Sequence, residues 1–185
     1  MKIDLHSEYR LATAAVRQPH LDRIRELGVH PTTIAEHALR FRFMGFGILN
    51  GTINSGGHFV PGDGPAHVVQ PVIEGGELAD LVAWRSLQPS RWGLRGGKGW
   101  ALGADTLSNF GSWANSTTLC ESPLDWLRLG CAGGCIVDWD APEVETLAGW
   151  ETIETSASLA LALRSRIERS RRIPDIIAKD LRNAA

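Results

Sequence analysis

The chain has 185 residues, 43% of them hydrophobic and 22% charged, and carries a formal net charge of −2. That balance fits one globular domain and excludes a disordered tail, a collagen and a coiled coil. No apolar run is long enough to span a membrane, the charged start MKIDLHSEYR lacks the apolar core of a signal peptide, and three cysteines are too few for a disulfide framework, so a cytoplasmic protein is expected.

Residues 6–18 read as a first helix with Leu11, Ala14 and Ala15 on its inner side. Pro19 suits the first turn of a second helix, in which Leu21, Ile24 and Leu27 recur at helical spacing before Gly28 ends it. Thr33 and Glu36 form a capping-box pattern ahead of a third helix, IAEHAL. From Phe43 the pattern changes to a strand, FMGFGIL, followed by a Gly/Asn/Ser/Pro-rich stretch, 51–64, expected to be loop or hairpin turns. HVVQPVI and LADLVAW, joined by Glu74-Gly75-Gly76-Glu77, predict a β-hairpin, and RWGLR and GWALG are expected to continue the meander.

In the last third, Ser122-Pro123 opens a short helix that Gly130 ends. GCIVDWD reads as a strand, PEVETLAGW as a helix and WETIET as a strand, and Ser156 caps the longest helix, expected to reach Arg172. Strand and helix alternate over 135–172, which predicts a small α/β unit, an arrangement compatible with parallel strands. The fold class is therefore α+β. Residues 1–42 form a helical N-terminal segment and 43–185 an α+β body, made of an antiparallel meander (43–104) and an α/β unit ending in a long helix (105–185), in one compact domain. Its core should contain Leu81, Val82, Trp84, Trp126, Leu127, Ile136, Val137, Leu159 and Leu163.

The small net charge conceals segregation. Residues 105–163 hold nine acids and one base, Arg128, whereas 164–185 hold seven bases and three acids. Arg85, Arg91, Arg95 and Lys98 follow one another with no acid between them. Such blocks serve either internal complementarity or docking of a polyanion or a basic protein.

Four groups of residues bear on function. LGVHPTTIAEHAL resembles the turn and second helix of a helix-turn-helix, which implies that Thr32, Thr33, Glu36, His37 and Arg40 face a DNA groove; the plainer alternative is a packing layer. In WRSLQPSRWGLRGGKGWALG, Arg and Trp interleave on a Gly-rich hairpin. Cations there would neutralise phosphates, and Gly96, Gly97 and Gly99 would admit a ligand close to the backbone. Strand alternation puts Arg91, Gly93 and Arg95 on one face and Trp92 and Leu94 on the other, so that Trp92 belongs to the core while Arg91, Arg95 and Lys98 stay exposed. The run DLVAWRSLQPSRWGLRGGKGWALG, with Ser122–Asp140 after it, also resembles uncharacterised proteins of bacterial prophages and integrated elements, which implies a mobile-element setting and no specific activity.

The third group is a carboxylate set. VIEGGELADLVAW and VDWDAPE resemble the strand ends of a toprim metal-dependent domain, which implies Mg²⁺ on Glu74, Asp138 and Asp140; ordinary turn acids are the alternative. The fourth is Cys120, Cys131 and Cys135, whose spacing matches no zinc motif and which read as structural. His58 and His67 flank the Gly-rich stretch as isolated candidate bases, without a nucleophile elbow beside them. No phosphate-binding loop motif occurs and no cofactor is called for. The leading reading is a non-enzymatic accessory protein of a mobile element that contacts nucleic acid through Arg91, Arg95, Lys98, Arg85 and Arg40, aided by Arg164, Arg166, Arg169, Arg171 and Arg172. The alternatives are an acidic module or inhibitor that binds a basic protein, and a Mg²⁺-dependent phosphoryl-transfer enzyme. Oligomeric state is not legible in the sequence.

Overall fold

The structure, a computed structural model, describes residues 4–33, 45–109 and 115–170. Two helices, α1 (Leu5–Ala14) and α2 (Gln18–Glu26), precede four strands, β1 (Gly47–Ile53), β2 (Phe59–Glu74), β3 (Glu77–Arg85) and β4 (Gln88–Leu94). These form one antiparallel sheet in chain order. β5 (Ala101–Leu102), α3 (Ala104–Leu107), β6 (Ser116–Thr118), α4 (Pro123–Arg128), β7 (Cys135–Ile136), a 3₁₀ helix (Pro142–Gly149), β8 (Thr152–Glu154) and α5 (Ala157–Ser170) complete the chain. The fold is α+β, and among the described residues no helix is long and apolar enough to cross a membrane.

The near-continuous apolar runs of β2 and β3 have a direct cause: the sheet is covered on both faces. On one face Val69, Ile73, Leu81 and Ala83 pack with Phe59 and with Tyr9 and Ala12 of α1. On the other, Val68 and Trp84 meet Ile24 of α2 and Leu124 and Leu127 of α4, while Val72, Val82 and Leu94 meet Trp126, Cys135 and Val137. The Trp84 indole donates to Gln70 Oε1 (2.6 Å), whose amide donates in turn to the Pro123 carbonyl (3.3 Å), so a polar pair survives in the core because it is bonded. Every expected core residue is buried except Leu159, which is half-buried against the C-terminal cluster containing Leu163.

The β2–β3 turn is Gly75-Gly76 alone, with φ of +60° and +79°, the pair of left-handed residues that a tight hairpin demands. Both turn amides donate to the Asp105 carboxylate of α3, at 2.6 and 3.1 Å, which ties the hairpin to the second half of the chain.

Several expectations require correction. The buried face of α1 is Tyr9 and Ala12, with Leu11 65% exposed and Ala14 exposed, because turning the large Tyr9 ring onto the sheet rotates Leu11 outward. Within residues 51–64 the expected hairpin turn occupies 54–58, but the rest is strand: β1 runs on to Ile53 and β2 starts at Phe59, and 62–65 face no partner on β1. Proline and glycine there occupy a bulge rather than end the strand. GWALG leaves the meander: β5 pairs antiparallel with β7. The two strands of the expected α/β unit pair with different partners, β7 with β5 and β8 in parallel with β6, so they form two small sheets. The third helix beyond Thr33, and with it Glu36, His37 and Arg40, lies outside the described residues, as do Arg171 and Arg172.

The chain leaves the meander at a buried carboxylate. Asp80 has no exposed surface. Its Oδ1 accepts the amides of Leu81 (2.7 Å) and Gly96 (2.6 Å), and its Oδ2 those of Lys98 (2.7 Å) and Gly99 (3.1 Å). Successive amides converging on one anion form a nest. Gly99 is obligatory, since a Cβ there would stand 2.8 Å from Asp80 Cβ and from Val72 Cγ1. Of the three glycines expected to admit a ligand, Gly96 and Gly99 therefore admit the protein's own carboxylate, and Gly97 lies against His58.

Asp80→Ala leaves these four amides without acceptors, and since one unsatisfied buried donor costs about 1–3 kcal/mol, a loss of at least about 3 kcal/mol is expected in denaturant unfolding. Asp80→Asn recovers little, because its amide group turns donors toward donors. A wild-type midpoint in either variant contradicts the nest.

Candidate functional site

The face of the sheet that carries α1 is not covered along its whole length. Beyond the helix, β1, β2 and the β3–β4 hairpin enclose a cleft of about 190 Å³ lined by Thr52, Ile53, Pro65, His67, Arg85, Gln88 and Arg91. Three local features build it. The bulge at 62–65 pushes Pro65 out as one wall. The tip of the β1–β2 hairpin folds back over β4, where Leu94 N–H donates to the Gly57 carbonyl at 3.1 Å and His58 bridges Leu94. Arg85 pairs with Gln88 across the tight β3–β4 connection, and alternation brings Arg91 to the same side.

The cleft is electropositive. No acid lines it, and among the described residues neither Arg85 nor Arg91 has an ion pair or a side-chain hydrogen bond. His67 forms its base and is only 2% exposed. Its Nδ1 lies 2.9 Å from the Pro65 carbonyl, which can only accept, so Nδ1 carries the proton; the Phe59 ring, 5.1 Å away, packs on the imidazole and fixes its plane. Burial drives the His67 pKa below the ordinary imidazole value, the Pro65 hydrogen bond opposes that shift, and the neighbouring Arg85 charge adds to it. The ring is neutral at neutral pH.

Alternation along β4 operates as expected: Arg91, Gly93 and Arg95 share one face, and Trp92 faces the core, where its indole donates to the Val137 carbonyl at 3.3 Å. The exposure expected of Arg95 is overturned. Glu8 of α1 binds it bidentately at 2.6 and 2.7 Å, and only 16% of its side chain remains exposed. The neutralising acid comes from 87 positions away, a pairing that a local window does not reveal. Lys98 is exposed, on the loop that wraps Asp80. Arg85 and Arg91 are thus the two sequence-predicted cations that the structure brings into one cavity. On α5, Arg164 is exposed, but Arg166 is engaged by Glu145 (2.8 Å) and the Trp139 carbonyl (3.1 Å).

The carboxylate set does not assemble. Among the described residues no group of three His, Cys, Asp or Glu side chains is arranged to hold a metal ion. Glu74 accepts the Trp100 amide at 3.3 Å, and Asp138 accepts the Asp140 amide at 3.0 Å. Burial raises the Glu74 pKa; the Trp100 hydrogen bond opposes the shift, and Glu143, Asp105 and Asp80, the acids that surround it, add to it. Cys120 and Cys135 are buried and Cys131 half-buried, and burial pushes their thiols up, Cys120 to about 11 and Cys131 to about 12, so none is a ready thiolate. The sequence reading missed Thr52, Gln88 and the placement of His67. The β2–β3 register, in which Val68 faces Trp84, is the signal that sets His67 beside Arg85.

No protein-family model, curated protein or solved structure matches this chain.

A histidine held neutral in the folded state ties stability to pH with a definite sign. Below about pH 6.5 the unfolded chain takes up a proton that the folded ring resists, so stability present above that value is lost as pH falls through it. The drop in Tm between about pH 7.5 and about pH 5.5 should be smaller in His67→Gln than in the parent protein. Equal drops would show that His67 does not titrate differently in the folded chain.

Proposed function

We propose that this protein is a non-enzymatic accessory factor that contacts nucleic acid by holding a backbone phosphate between Arg85 and Arg91. The observation that carries the reading is the pair of unneutralised guanidiniums in a cleft without acids. Elsewhere the chain neutralises partly buried arginines, as Glu8 does for Arg95 and Glu145 for Arg166. Half-buried Arg85 is left uncompensated, with exposed Arg91 beside it in the same hollow, and that concentration of positive charge favours an external anion there. Guanidinium geometry suits the paired oxygens of a phosphate.

Size supports a polymer over a free cofactor. Pockets for whole small molecules run to roughly 300–1,000 Å³, whereas this cleft measures about 190 Å³. That is room for one backbone unit of a longer ligand. Ile53 and Pro65 offer an apolar wall to a sugar. The resemblance to prophage and integrated-element proteins supplies the setting: such elements need accessory factors that act on their own nucleic acid.

The charge-reversal pair Arg85→Glu and Arg91→Glu should abolish retention on a single-stranded oligonucleotide at low ionic strength and leave Tm unchanged, because neither side chain has a partner to lose among the described residues. Single reversals should lower the slope of log K against log salt by about one per contact removed. Arg95→Glu should behave oppositely, lowering Tm by facing Glu8 with a like charge. If the wild-type protein is not retained at low ionic strength, the reading fails, and the acidic stretch 105–163 with a basic protein partner replaces it.

A further inference from the structure

The base of the cleft carries a group that phosphate binding does not use. Since Nδ1 of His67 donates to the Pro65 carbonyl, Nε2 of the neutral ring bears a lone pair and points away from that carbonyl. No partner for Nε2 exists among the described residues. It is not sealed off either: Thr117 Oγ1 is the one unbonded side-chain polar atom closed to solvent among those residues. His67 lines the cleft, and Nε2 is the ring nitrogen that the Pro65 carbonyl leaves for it. The site therefore offers two fixed kinds of group, guanidinium donors from Arg85 and Arg91 and one bare acceptor from His67.

A ligand that satisfies both must present an anion and a hydroxyl donor side by side. A DNA backbone supplies only the anion. Its phosphodiester oxygens and ring oxygen all accept, and each would face the Nε2 lone pair unfavourably. An RNA backbone places a 2′-hydroxyl next to each phosphate, and that hydroxyl donates. We propose that the cleft selects ribose over deoxyribose: Nε2 of His67 accepts a hydrogen bond from a 2′-hydroxyl while Arg85 and Arg91 hold the adjoining phosphate, so that the ligand is single-stranded RNA. The proposal rests on the phosphate-binding reading above and adds the identity of the sugar. Phe59 on the imidazole and Pro65 at Nδ1 hold the ring in one orientation, which discrimination by a single acceptor requires. The low affinity of His67 for a proton keeps that acceptor bare at neutral pH.

Fluorescence anisotropy of the full chain at neutral pH and low salt, with three labelled 12-mers, tests this: oligo-rU, oligo-dU and oligo-U with 2′-O-methyl sugars. Oligo-rU should bind more tightly than oligo-dU by about two- to tenfold, the range that one hydrogen bond supplies. The 2′-O-methyl oligomer keeps the ribose oxygen but has no donor, so it should fall to the oligo-dU level; this arm uses unaltered protein and does not depend on a variant folding. His67→Phe, which keeps an aromatic ring against Phe59, should bind all three alike. Equal binding of oligo-rU and oligo-dU to the wild-type protein, full-strength binding of the 2′-O-methyl oligomer, or a ribose preference that persists in His67→Phe would each overturn the proposal while leaving phosphate binding intact. Failure of all three oligomers to bind would overturn the phosphate-binding reading as well.

Discussion

The carboxylate of Asp80 fixes much of the architecture. An anion with no exposed surface is tolerated only when its lone pairs are filled, and here four backbone amides fill them. Three of those amides, of Gly96, Lys98 and Gly99, belong to the segment after β4, so the charge that β3 buries dictates where the chain goes next. The segment curls around the carboxylate and cannot add a fifth strand to the meander. It delivers β5 to β7 and so starts the second half of the molecule. The Arg95 amide meanwhile bonds the Leu81 carbonyl at 2.8 Å, which holds the arginine under α1 within reach of Glu8.

The fold class and the sheet were largely legible in the chain. Valine-rich runs around a Gly-Gly pair specify a hairpin by local chemistry alone, and Ser122-Pro123 specifies a helix start through one side chain that accepts the Asp125 amide. Elements that depend on distant partners were not legible. Nothing local distinguishes GWALG as a continuing strand from GWALG as the partner of β7. The face of α1 is decided by where Tyr9 finds a pocket, and the stretch 51–64 looks like loop because its glycines and Pro61 would normally end a strand, whereas here Pro61 stays paired with Gly51 and a bulge absorbs Gly62 and Gly64.

The site was legible in the same uneven way. Alternation correctly assigned Arg91 and Trp92 to opposite sides of β4, because side-chain direction in a strand is a property of the strand itself. It did not separate Arg91 from Arg95, which share a face and differ only in what covers them: open cleft for one, Glu8 for the other. His67 was visible only as an isolated histidine. Its significance comes from a register that sets it beside Arg85 and from a carbonyl two residues away that fixes its tautomer.

The folded-back tip of the β1–β2 hairpin also has a bearing on solubility. β4 is the last strand in the order, and the final strand of any sheet displays unpaired backbone groups that invite another chain to join it. Gly57 and His58 occupy that margin at Leu94, and they fit only because residue 93 is glycine, where a Cβ would lie 2.7 Å from the Gly57 carbonyl oxygen. A Cβ at 93 would also lie 2.9 Å from Cγ2 of Ile53, which lines the cleft, so the same missing side chain seats a cleft residue and shields the rim of the sheet, and recognition of a ligand and resistance to strand-by-strand self-association share a structural cause.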